Sequence, residues 1–121
     1  MRTFEKLRAW QLGHELVLRV YKDTTDFPKQ EVYGLTSQIR RSALSVPTNI
    51  AEGRARGATK DFVRFLKIAR GSLEETEYLL LAARDLGYLP EAQYQSITKL
   101  SSELSAILNG LISSLTQNIS L

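Results

Sequence analysis

Cysteine is absent from the chain, which excludes disulfides, thiol nucleophiles and thiolate-based zinc sites. Histidine occurs once, at His14, so Ser42 and Ser45 have no second histidine that would activate them. No Glu-x-x-His pair is present, which removes the di-iron type of helical bundle, and no Gly-x-x-x-x-Gly-Lys phosphate loop occurs. His14 itself falls among Leu7, Trp10 and Val17, where a hydrogen-bonded core histidine is the expected role, and the neighbouring Glu15 points to another face. We therefore read no catalytic residue, and no cofactor or metal is expected. Long apolar runs are lacking too. No stretch approaches the ~20 residues a membrane span needs, and the opening MRTFEKLRAW has no signal-peptide core. The expectation is a cytoplasmic protein without a membrane partner.

What is present is a helical pattern. With 121 residues, of which 43% are hydrophobic, one folded domain spanning 1–121 is expected. From Phe4 to Thr24, the residues Leu7, Trp10, His14, Val17 and Tyr21 recur every three or four positions, with Leu12, Leu16 and Val20 as a second stripe. Pro28 ends this segment. A second helix is predicted from Gly34–Thr36 to about Arg56, with Leu35, Ile39, Ala43, Val46 and Ile50 on its apolar face. Pro47 lies inside that pattern and predicts a kink, with Ser45, Thr48 and Asn49 placed to satisfy the freed backbone groups.

Gly57 suits the end of the second helix and Thr59 the N-cap of a third, which runs from Lys60 to about Leu86. Gly71 and Ser72 inside it predict the close approach of a neighbouring helix. Gly87 closes it and Pro90 opens a fourth helix, with residues 118–121 as a frayed tail. Nothing alternates with a period of two. The predicted fold is all-α, an up-down-up-down antiparallel four-helix bundle. The first and third helices carry more apolar surface than a small bundle's own core requires, and a buried surface between subunits would account for it.

The charge is polarised. Between Leu35 and Arg70 stand Arg40, Arg41, Arg54, Arg56, Lys60, Arg64, Lys67 and Arg70 against only Glu52 and Asp61, a balance of +6 in a chain whose net charge is +3. Residues 71–121 hold two basic and six acidic residues, a balance of −4. At ~100° per residue Arg40 and Arg54 share a face of the second helix, about 21 Å apart along its axis. Lys60, Arg64 and Lys67 form one stripe on the third. The short turn brings Arg54 and Arg56 near Lys60 and Arg64, so the basic groups are expected to gather at one hairpin tip and run down both arms.

Clustered like charge opposes folding, and its commonest use is to bind phosphate. The leading reading is therefore a nucleic-acid-binding surface made of these eight residues. The alternatives are a scaffold that docks an acidic protein, intersubunit pairing with Glu74, Glu75 and Glu77, and an ordinary solvated face. Aromatic residues near the patch are few. Phe62 and Phe65 have core spacing, which favours contact with backbone and shape over bases.

The block Ser45-Val46-Pro47-Thr48-Asn49-Ile50-Ala51-Glu52-Gly53, preceded by Gln38-Ile39-Arg40-Arg41, resembles a known family. Leu7-Arg8-Ala9-Trp10-Gln11, Phe27-Pro28, Tyr33-Gly34-Leu35 and Arg70-Gly71-Ser72-Leu73-Glu74-Glu75 extend the likeness along nearly the whole chain. The family is that of small bacterial four-helix bundle proteins encoded in intervening sequences of 23S ribosomal RNA genes. It is similar also to the accessory variability protein of diversity-generating retroelements. The resemblance implies a homopentameric ring, binding of nucleic acid with Arg40, Arg41 and Arg54 as matched contacts, and a reverse transcriptase as a partner. No agreed biochemical activity comes with it.

Overall fold

The computed structural model of the chain describes residues 2–119. A 3₁₀ turn over Thr3–Lys6 precedes α1 (Arg8–Asp23), and another over Lys29–Glu31 precedes α2 (Leu35–Ala55). Then follow α3 (Thr59–Asp85) and α4 (Glu91–Ile119), with no strand among the described residues. The first helix begins later than its apolar pattern suggests, because residues 3–6 take the tighter 3₁₀ form and Leu7 is extended. Gly57 and Gly87 have φ of +85° and +82°, the left-handed geometry that ends α2 and α3. Thr59 is not the cap of α3. Ala58 holds that position without a side-chain bond, while Asp61 sits in the first turn and complements the helix dipole. At the other end, α4 carries through Asn118, where fraying was expected, and residues 120–121 of that tail lie outside the described residues.

Each helix packs on two others: α2 on α1 and α3, and α4 on α3 and α1. Leu12, Leu16, Ile39, Ile50, Leu66, Leu73, Ile97 and Leu104 meet in the one core. Burial of each such side chain contributes about 1.5–3 kcal/mol. Between α2 and α3, the hydroxyls of the buried Ser42 and Thr76 are 2.8 Å apart, as are those of the half-buried Ser45 and Ser72. Buried polar groups must find partners, so these pairs fix the register of α2 against α3, with sequence positions running in opposite directions.

Helix α2 passes through Pro47 as one element. Proline leaves the Ala43 carbonyl without its usual donor. Thr48 donates to the next carbonyl, Leu44, at 2.7 Å, and Asn49 to that of Ser45 at 2.8 Å. The ring of Pro47 lies where Gly13 lets α1 come close, 3.5 Å from where a Cβ would stand.

Two further sequence expectations need correction, each for a local reason. His14 is exposed and lies stacked on the half-buried Trp10 with centroids 5.0 Å apart. The buried face of α1 is the Ala9–Leu12–Leu16–Val20 side, which puts His14 and Tyr21 towards solvent. Of the pair Gly71 and Ser72, it is Ser72 that a neighbouring helix approaches, its hydroxyl meeting that of Ser45 on α2, whereas a Cβ at Gly71 would meet nothing within 4 Å. A glycine that does admit a close neighbour is Gly53, where an added Cβ would stand 2.6 Å from the Phe65 Cβ.

At the end of the bundle away from Gly57, Glu31 accepts from the Leu35 N–H at 3.1 Å and from the Tyr88 hydroxyl at 3.0 Å. The bond to Glu31 holds the Tyr88 phenol above its usual pKa.

Candidate nucleic-acid interface

The hairpin of α2 and α3 is drawn together by the missing side chain at Gly53, which lets Phe65 and Phe62 press against the α2 backbone. Phe65 is buried in consequence, yet its ring supports two cations. The Arg56 guanidinium lies 4.9 Å from the ring centroid and that of Arg64 lies 4.5 Å from it. One residue from the end of α2 and one from the start of α3 are thus held on a shared platform. Each such contact contributes about 0.5–1 kcal/mol at an exposed site, which offsets part of the repulsion between the two charges.

Lys60, Arg64 and Lys67 form the expected stripe. They line one groove of about 400 Å³ with Asp61, Val63 and, from α4, Thr116. Arg54 is exposed on the last turn of α2, beside this tip, and Arg41 is exposed further along the helix. The ion pairs among the described residues join Arg2 to Glu5, Arg8 to Glu103, and Arg84 to Asp85 and Glu91. None uses a hairpin cation. Glu77 accepts from Ser101 at 2.8 Å.

Three of the eight residues stand apart from the tip: Arg41, exposed further along α2, Arg70 and Arg40. Arg70 is half-buried and donates to Asn109 on α4 at 3.1 Å. Arg40 shares a face with Arg54 but lies toward the opposite end of α2. There its Nε donates to Thr24 Oγ1 at 3.0 Å and its guanidinium covers the Tyr21 ring at 4.6 Å. The basic residues therefore form a compact group of five, Arg54, Arg56, Lys60, Arg64 and Lys67, with Arg40 in a separate place.

Sequence reasoning overlooked the part Phe65 plays, because its spacing correctly marks it as core and says nothing of what covers its ring face. It overlooked Thr116 as well, since only the register of α3 against α4 brings that residue to the groove. No group of three or more metal-ligating side chains occurs among the described residues, and no described helix is long and apolar enough to cross a membrane.

A family model described as 23S rRNA-intervening sequence protein matches residues 5–110. Among solved structures, the chain is similar to the crystal structure of a protein of unknown function from the S23 ribosomal protein family of Bacteroides thetaiotaomicron VPI-5482. Identity is 28%, with 87% of this chain and 95% of that one covered, and the TM-score is 0.79. Among curated proteins none matches.

Proposed function

The chain belongs to the family of 23S rRNA-intervening sequence proteins, and on that footing we propose that it is a non-enzymatic, self-associating accessory protein that binds the phosphate backbone of RNA or DNA. The contacts fall to Arg54, Arg56, Lys60, Arg64 and Lys67. The observation that carries this reading is the convergence of Arg56 and Arg64 on the Phe65 ring, beside a groove lined by three of the five cations. Guanidinium groups fixed by stacking lose less freedom on meeting a phosphate, and their forked donors match its oxygens. Changing Arg56 and Arg64 together to Ser is expected to weaken binding of labelled duplex DNA or structured RNA by about tenfold, for two lost phosphate contacts. Fluorescence anisotropy reads this directly. Unchanged affinity contradicts the assignment, and no binding by the intact protein favours a scaffold for an acidic partner.

Self-association is supported by the apolar surface left between α1 and α2. Phe4, Trp10, Val17, Leu44, Pro47 and Ala51 line a groove of about 430 Å³ there. Leu44 is 40% exposed, and on the same helix as Trp10, Leu18 is 57% exposed. The assembly proposed is a ring of five copies. Light scattering is expected to give about five times the 13.6 kDa chain mass, and a species of the single-chain mass contradicts it.

A further inference from the structure

Arg40 is left over from the basic hairpin, and its surroundings make a second, separate site. It lines a cavity of about 380 Å³ where the end of α1, the segment after it and the start of α2 meet. Its lining combines polar side chains, Arg40, Lys29, Thr24 and Thr36, with apolar ones, Phe27 and Val32. A small pocket with a few convergent polar groups set in an apolar wall is the usual form of a small-molecule site.

The polar lining is prepared for an anion. Thr24 Oγ1 receives the Arg40 Nε–H, and the Tyr21 ring supports the guanidinium plane. Both contacts aim the group while leaving its terminal N–H donors for a ligand. Thr36, the second residue of α2, is only 6% exposed, and its hydroxyl oxygen is buried with no hydrogen-bond partner. An unpaired buried hydroxyl costs free energy that a ligand oxygen would recover. Thr36 is among the residues lining the cavity, and threonine in a helix populates two χ1 wells, so its hydroxyl is free to turn when a ligand oxygen arrives. The site also lies at the N-terminal turn of a 21-residue helix, where the dipole favours negative charge. Glu31 is held by Leu35 and Tyr88, and neither it nor the exposed Asp26, which stands between Thr25 and Phe27 in the chain, is among the residues lining the cavity.

We propose that this pocket binds a small organic phosphate monoester. Its phosphate lies on Arg40, Lys29 and Thr36, and its apolar body lies against Phe27 and Val32. The two cations, one of them the forked guanidinium of Arg40, select the phosphate, and the apolar wall selects an ester over the free ion.

Titration of the full chain with phenyl phosphate, followed by NMR and calorimetry, tests this. Binding is expected to move the amide signals of Thr24 and Thr36 and the Arg40 Nε–H, and to be tighter for phenyl phosphate than for inorganic phosphate. Thr36→Val keeps the shape of the side chain and removes the unpaired hydroxyl. It is expected to fold at least as stably while binding phenyl phosphate about tenfold more weakly. A variant with Arg54, Arg56, Lys60 and Arg64 changed to Ser is expected to bind phenyl phosphate as the intact protein does. The proposal is overturned if millimolar phenyl phosphate leaves these signals unmoved, if the shifts map to Lys60, Arg64 and Lys67, or if Thr36→Val binds equally well. Equal affinity for inorganic phosphate overturns the role given to the apolar wall.

Discussion

Gly53→Val is expected to lower the free energy of unfolding by about 3 kcal/mol, with a corresponding fall in Tm of about 10 °C. A Cβ at this position stands 2.6 Å from the Phe65 Cβ, 3.1 Å from Phe62 Cδ1 and 3.4 Å from the Phe62 carbonyl oxygen. The first of these atoms is fixed to the α3 backbone and cannot swing aside, so the two helices must separate. Helix propensity runs the other way, since glycine inside a helix is about 1 kcal/mol worse than alanine. The strain exceeds that gain. Alanine at the same position is expected to fall between the two, near 1–2 kcal/mol of loss.

Gly71→Ala is the matched control, because its Cβ meets nothing within 4 Å. There only the propensity operates, and a gain of about 0.5–1 kcal/mol is expected. Thermal or urea denaturation of the three variants separates these outcomes. If Gly53→Val unfolds like the unaltered protein, α2 and α3 do not approach as described, and the shared platform on Phe65 goes with them.

These two glycines show where sequence reading stops. Both interrupt a helix, and propensity treats them alike. Only the register across the Gly57 turn, which pairs Gly53 with Phe65 and Ser45 with Ser72, decides which one faces a neighbour. The helices themselves were legible because Gly57, Gly87 and Pro90 punctuate the chain and the apolar spacing is continuous between them. On α1 the pattern was ambiguous. Two adjacent stripes are nearly equal in apolar content, and packing against α2 and α4 chose the Leu12–Leu16–Val20 side, leaving His14 outside.

The stripe of Lys60, Arg64 and Lys67 followed from spacing alone, since it lies within one helix. The separation of Arg40 did not. Angular arithmetic places it on the face of Arg54, but about 21 Å along the axis carries it to the other end of the bundle. There Thr24 and Tyr21, which the chain folds back to supply, take it up.

The second large effect concerns salt. Each phosphate neutralised on a duplex releases condensed counterions, so the logarithm of affinity falls with the logarithm of salt at about −0.9 per contact. Five contacts, from Arg54, Arg56, Lys60, Arg64 and Lys67, give a slope of about −4.5. Affinity is then expected to drop about 500-fold between roughly 50 and 200 mM salt. Little of this depends on base identity, because the aromatic side chains at the tip are engaged within the fold: the Phe65 ring is buried and already carries two guanidinium groups, and the half-buried Phe62 packs on the core and against Gly53. Duplexes of different sequence are expected to give the same slope.

The measurement that tests the central claim most directly is that salt series, run by fluorescence anisotropy on the intact protein and on the variant with Arg54, Arg56, Lys60 and Arg64 changed to Ser. The account predicts a slope near −4.5 for the first and near −1 for the second, where only Lys67 of the group remains. A flat response from the intact protein, or an equal slope from both, contradicts the assignment of the hairpin as a phosphate-binding surface.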